Sequence, residues 1–303
     1  MLVSSDWHLG AADVGLGFAR KAESWFSEVE PTLSKGLPVS TTENYGVLTL
    51  ERRGRVLLMG LNRPQKRNAF NIELLMSLGR AYELLERDED LRCGVLFAHG
   101  DHFTGGLDLA EVGPALAEGN LSYPEDARDP WRNDGKPWTT PVIAAAQGWC
   151  MTLGIELLLA ADIRVASSDV RFAQLEIQRG IYPFGGATIR LPREAGWGNA
   201  MRWLLTGDEY DAAEAHRIGL IQEITEPGAH LERAVELAER IASRSAPLGV
   251  RTTLSSAQRA LVEGQAAATS RLNDDMVALL RTHDGTEGMM SFIERRPANF
   301  TGR

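Results

Sequence analysis

The sequence predicts an α/β protein on three observations. Short apolar runs with strand character recur through the first two thirds of the chain: GVLTLERR from Gly46, VLLMGLN from Val56, CGVLFAH from Cys93, PVIAAAQG from Pro141 and IRVAS from Ile163. Helical segments or Gly and Pro turns separate these runs, which is the signature of alternating strands and helices. After Gly185 the pattern becomes almost wholly helical.

Taken in order, residues 1–44 mix short helical patterns (FARKAESWFSEVE) with Pro31, Gly36 and Pro38, and read as an extension of unknown role ahead of the main fold. Residues 45–230 carry the alternating core. Its first clear helix is NIELLMSLGRAYELLERDED, with Asn71 as its cap and Leu74, Leu78, Ala81 and Leu85 on one face. Residues 111–137 are too irregular for one long element and too apolar at Leu116, Tyr123 and Trp131 for a pure linker, so they read as a long loop. REAGWGNAMRWLLTG then reads as a helix ending at Gly207, and DAAEAHRIG as one opened by a capping box of Asp211 and Glu214. Residues 231–303 form a C-terminal helical region, with amphipathic segments at 247–262 and 265–282.

Composition narrows the function classes. A chain of 303 residues, 44% hydrophobic, buries a substantial core. A formal net charge of -9 and a pI near 5.3 argue against a surface that tracks nucleic-acid phosphates. Two cysteines, Cys93 in a strand and Cys150 in a loop, are too few for a disulfide framework and read as free thiols. The longest apolar stretches, Val142 to Ala146 and Leu157 to Ala161, fall far short of the ~20 residues of a membrane span. The N-terminus lacks the parts of a secretory signal and is too acidic for a mitochondrial presequence, so a cytoplasmic location is expected.

Several chemistries are absent by motif. There is no Gly-x-Ser-x-Gly elbow, no phosphate loop ending in Gly-Lys-Ser/Thr and no paired-cysteine metal spacing. His99 and His102 are three apart, but no carboxylates or cysteines complete a shell, and no metal is expected. Three segments remain: HFTGGLDL, GWCMTLGIELLLAAD and RFAQLEIQRGIYPFGGA. Glycine lets backbone approach a ligand closely. The first N–H groups of a helix are open donors reinforced by the helix dipole, and together these features can stabilise a developing oxyanion. Glu156 is the anomaly, one carboxylate inside an apolar helix, where an unpaired charge is costly. On residues alone it either pairs with a buried Arg or Lys or takes part in chemistry.

These segments carry a resemblance. LNRPQKRNAFN, FTGGLDL, KPWTTPVIAAAQGWCMTLGIELLLAADIRVA, FAQLEIQRGIYPFGGATIRLPREAG and LTGDEYDAAEAHRIGLIQEI occur in the order in which similar segments occur in the crotonase superfamily, also called the enoyl-CoA hydratase and isomerase family. The resemblance covers residues 45 to 303. It implies a crotonase-like spiral of repeated ββα units with a C-terminal helical region that closes the pocket and builds a homotrimer or a dimer of trimers. It also implies an acyl-CoA thioester as substrate, and no cofactor beyond the CoA that the substrate itself carries.

By that resemblance the backbone N–H groups of Leu107 and Leu153 point at the thioester oxygen. Glu156 orients and deprotonates water, and Glu176 exchanges a proton at the α carbon. Two glutamates favour hydration of a 2-enoyl-CoA over isomerisation, thioester or C–C bond hydrolysis, dehalogenation, or mere acyl-CoA binding by a weakened site. Arg63, Lys66, Arg67, Ala69 and Gly105 are the implied CoA contacts, and Trp131, Trp149 and Pro183 the implied acyl-pocket lining. The sequence departs from the usual glycine run at Thr152 and Leu153, and from a small residue at Leu107. Asp108 and Asp162 read as structural turn or helix-end groups.

Overall fold

The computed structural model describes residues 41–303 apart from 134 and 135, so the expectation for residues 1–44 falls almost wholly outside the described residues. Strands β1 (Thr41–Asn44), β2 (Leu48–Arg53), β3 (Val56–Leu61), β4 (Cys93–Ala98), β5 (Val142–Ala146), β7 (Ile163–Ser167) and β10 (Glu223–Thr225) form one sheet in the order β1-β2-β3-β4-β5-β7-β10. The first three are antiparallel and the rest parallel. All of β3, β4 and β5 is buried, which is why those runs are continuously apolar instead of alternating.

Helix α1 (Ile72–Arg87) starts as its sequence predicts, with the Asn71 side chain accepting from the Leu74 N–H at 3.0 Å. The opposite face of the sheet is covered by the helix His230–Arg244. Its Ala234, Val235, Ala238 and Ala242 lie against Val56, Leu58, Val95, Phe97, Ile143, Ala145 and Val165, alternate residues of four neighbouring strands. That helix, the first of the C-terminal helical region, therefore contributes to the core of the sheet. Residues Thr41–Arg303 form one compact unit.

A small second sheet positions the site. Strands β6 (Trp149–Met151), β8 (Arg171–Ala173) and β9 (Tyr210–Asp211) pair in the order β6-β8-β9, with β6 and β8 parallel and Met151 opposite Ala173. The chain thus leaves β6 at Thr152 and β8 at Gln174 side by side, tied by the Thr152 N–H on the Ala173 carbonyl at 2.9 Å. Single bridges, Thr104 to Cys150 and Phe70 to Leu107, extend this layer to two more segments. Cys150 is in a strand and not a loop, and both thiols are free and buried.

Other differences have local causes. The stretch 111–137 opens with the end of helix α2 (Leu109–Ala117) before becoming loop. The helical run around Gly196 is two helices, Ala187–Ala195 and Trp197–Thr206, because Gly196 at φ 78 breaks the ladder. Asp211 caps its helix through the Glu214 N–H at 3.0 Å, but the Glu214 side chain turns to Arg217 and Trp203, so only half of the capping box forms. The last segments are helices Pro247–Val262, Gln265–Thr269, Leu272–Leu280 and His283–Glu294. Among the described residues no helix is long and apolar enough to cross a membrane.

Candidate active site

Two backbone N–H groups lie on neighbouring turns where the small sheet ends. The main chain of Phe70 takes up both neighbours of Leu107: its N–H donates to the Gly106 carbonyl at 2.8 Å and its carbonyl accepts from the Asp108 N–H at 2.9 Å. In a parallel bridge this turns the Leu107 N–H to the other side. Leu153 is the first residue of helix α3 (Leu153–Ala160), where N–H groups have no intrahelical acceptor. The turns carrying them touch, since Thr152 Oγ1 fills the space that a side chain on Gly106 would need.

All eight residues of α3 are buried, and Glu156 is its one charged group. Its carboxylate accepts the Ala187 N–H at 3.0 Å, with those of Gly185 and Gly186 also directed at it, at the start of the helix Ala187–Ala195. This resolves the anomaly of its sequence position, because the partner is a helix N-terminus rather than a paired Arg or Lys. Burial nevertheless outweighs those donors and pushes its pKa up to about 7. Glycine at 185 leaves the Glu156 carboxylate its place, as a Cβ would come within 2.4 Å of it.

Glu176 stands in the 3-10 turn Leu175–Arg179, 7% exposed. Burial first, and then the charge of Glu156, push its pKa up to about 8. Gln174 is fully buried beside it. With its amide nitrogen facing the acceptors around it, Gln174 donates to Glu176 Oε2 at 3.0 Å, Oε1 at 3.1 Å and the Thr152 carbonyl at 3.2 Å. One side chain thereby joins the carboxylate to the peptide plane that bears the Leu153 N–H. The sequence reading missed Gln174; its only sequence signal is the two-residue spacing to Glu176 at the end of a strand.

The structure brings Leu107, Leu153, Glu156 and Glu176 together, and it redistributes the other expected contacts. Lys66 and Arg67 are exposed on the turn Pro64–Lys66 and its end, and the exposed Gly105 is tied to them by its N–H on the Arg67 carbonyl at 2.8 Å. Arg63 does not join them. It is 9% exposed, and its guanidinium donates to the Ala69 carbonyl and, at 3.3 Å, to Asp108, so it braces the loop instead of facing a ligand. Asp108 is structural in the same contact, and Asp162 holds Arg132 at 3.1 Å and the Val142 N–H at 2.8 Å.

Trp149 points outward from β6, stacked on His102 at 5.0 Å and beneath the Arg67 guanidinium at 4.5 Å, on the Arg67 edge. Trp131 is 5% exposed and lies behind the donors, with its indole N–H on the Leu153 carbonyl at 3.0 Å. Pro183 is buried in the turn between Glu176 and the Glu156 cradle.

Thr152 adopts φ 52 and ψ -119, a conformation that favours glycine. Such strain costs about 1–3 kcal/mol, against roughly 0.5–1 kcal/mol for the extra freedom of glycine in the unfolded chain. Thr152→Gly is accordingly expected to raise the melting temperature by about 2–4 °C in thermal denaturation; a lower melting temperature would show that the threonine side chain stabilises more than its backbone strains.

With this geometry in view, comparison with known proteins places the chain. The sequence profile described as enoyl-CoA hydratase/isomerase matches residues 51–303. The chain belongs to that family. Among family members, the enoyl-CoA hydratase EchA19 of Mycobacterium tuberculosis is 33% identical over 88% of this chain and 100% of its own. The 2,3-dehydroadipyl-CoA hydratase of Escherichia coli is 32% identical over 84% of this chain and 99% of its own. A crystal structure of a probable enoyl-CoA hydratase/isomerase from Mycobacterium abscessus superposes with TM-score 0.83 at 50% identity, covering 86% of this chain and all of that one. The family's α/β crotonase fold, with several C-terminal helices, is the fold of this chain.

Proposed function

We propose that the chain is an enoyl-CoA hydratase, a hydro-lyase that adds water reversibly across the double bond of a 2-enoyl-CoA thioester to give a 3-hydroxyacyl-CoA. The observation that carries this reading is the pair of buried carboxyls, held near pKa 7 and 8 beside the two touching turns that carry the Leu107 and Leu153 N–H groups. Water addition needs a base and an acid at once, and two carboxyls at different pKa values supply both near neutrality.

In this mechanism Leu107 and Leu153 donate to the thioester oxygen as enolate charge develops. Ionised Glu156 takes a proton from water, whose oxygen bonds to C3, and protonated Glu176 delivers its proton to C2. Every atom added comes from water once the glutamates re-equilibrate, and the scheme uses no metal or redox cofactor. Lys66 and Arg67 on the exposed edge face the CoA phosphates, beside Gly105 and Ala69.

Family names on the curated relatives support hydration over isomerisation, since the relatives named above are called hydratases. The exposed apolar residues of the C-terminal helices, Leu261, Val262, Leu272, Met276, Phe292 and Ile293, support contact between copies as a homotrimer or dimer of trimers. A cytoplasmic location completes the proposal.

The test is the ultraviolet absorbance of the conjugated thioester with a panel of 2-enoyl-CoA substrates. We expect it to fall as 3-hydroxyacyl-CoA accumulates. Binding of CoA esters with no loss of absorbance across the panel would overturn hydration and leave isomerisation or hydrolysis to be assayed by product.

A further inference from the structure

We propose that Trp131 is the positioning residue that sets the spacing between the two oxyanion donors, acting as a wedge behind both. The inference rests on the function proposed above. It assigns Trp131 a part in turnover that is separate from substrate binding.

One side chain touches the supports of both N–H groups. On one side the indole N–H donates to the Leu153 carbonyl at 3.0 Å, fixing the first turn of the helix that presents the Leu153 N–H. On the other side the indole meets the ring of Phe70 edge-on, with centroids 5.6 Å apart and planes at 72°. Phe70 is the residue whose N–H and carbonyl grip Gly106 and Asp108 on either side of Leu107, and it is wholly buried. The wedge therefore bears on Leu153 through a hydrogen bond and on Leu107 through packing. Close-packed interiors transmit such contacts stiffly.

Trp131 is itself over-determined. Its main-chain N–H donates to Asp129 Oδ1 at 2.9 Å, while the Asn133 N–H donates to Asp129 Oδ2 at 2.7 Å, closing the loop around one carboxylate. Arg190 then clips the loop to the Glu156 cradle, donating to the Arg132 carbonyl at 3.0 Å, to Asn133 Oδ1 at 3.2 Å and to the Gly185 carbonyl at 3.3 Å. Arg132 anchors the same loop to Asp162. A side chain that only filled space would not need a loop fixed at three points around it.

The experiment compares Trp131→Phe, which keeps a ring and deletes the N–H, with Phe70→Leu, which leaves that N–H and removes the ring it packs on. Each is assayed for kcat and KM, and for the red shift of bound cinnamoyl-CoA, whose long-wavelength absorbance reports polarisation of its carbonyl by the two donors. Displacing a donor without removing it is expected to lower kcat roughly 10-fold in Trp131→Phe. KM should stay within about 2-fold, because the CoA edge is untouched, and most of the red shift should be lost. Phe70→Leu should show a smaller loss of both.

Wild-type kcat and a full red shift in both variants would overturn the wedge. If Trp131→Phe fails to fold, Phe70→Leu decides alone. A wild type that shifts the cinnamoyl-CoA spectrum yet hydrates no substrate would overturn the hydratase reading, while the spectral comparison would still judge the wedge.

Discussion

Glu176→Gln and Glu156→Gln are each expected to lower kcat by about 10²–10⁴-fold with little change in KM for the enoyl-CoA substrate. Each replacement keeps the shape of the side chain and one oxygen that accepts a hydrogen bond. In Glu156→Gln the amide oxygen still accepts the Ala187 N–H, which the wild-type carboxylate holds at 3.0 Å. What is lost is the capacity to take up or release a proton, so the deficit belongs to chemistry. A fall of less than 10-fold in either variant would remove that glutamate from the proton-transfer steps.

The pH dependence of the wild type follows from the same pair. Burial raises Glu156 to about 7 and Glu176 to about 8, so ionised Glu156 with protonated Glu176 is the dominant arrangement between those values. The rate of hydration should therefore rise as pH climbs through about 7 and fall as it passes about 8. Both carboxyls hold their proton more tightly in the folded chain than in the unfolded one. Their contribution to stability is thus complete below the ordinary value of 4.5 and is lost as pH rises through about 7 and 8. Either glutamine variant should consequently melt at a higher temperature than wild type at pH 9, and the difference should vanish near pH 4.

Gly106→Ala is expected to lower kcat by about 10²-fold, comparable to losing one oxyanion donor. Gly106 has φ 105, and a Cβ there would come within 2.3 Å of Thr152 Oγ1. The added methyl must push apart the two turns that carry Leu107 and Leu153. Adding Thr152→Gly to this variant removes the atom it strikes and should restore part of the rate, a coupling that independent sites would not show. Equal losses in the single and double variants would place the damage in the Gly106 backbone alone.

Asn71 as a helix cap, the buried strands from Val56, Cys93 and Val142, and the isolated carboxylate in α3 were all legible locally. Each is a matter of periodicity or of one polar residue in an apolar run. Arg63 and Arg67 look alike in LNRPQKRNAF, yet Arg63 is turned inward onto Ala69 and Asp108 while Arg67 lies exposed over Trp149. Trp131 and Trp149 likewise look equivalent as pocket aromatics, and the fold sends one behind the site and the other to its outer edge.

By itself the sequence determined the α/β class, the anomaly of Glu156 and the family resemblance that points to Glu176, because apolar periodicity, a costly charge in an apolar run and the order of motifs are properties of neighbouring residues. Tertiary structure alone decided which N–H groups stay open, that Gln174 joins Glu176 to the Leu153 peptide, and that Trp131 backs both donors. Those facts depend on the parallel register of β6 with β8 and on the Phe70 to Leu107 bridge, contacts between segments far apart in the chain. Hydrogen-bond geometry of that kind is fixed only when distant backbones are brought within about 3 Å of one another, and no local pattern encodes it.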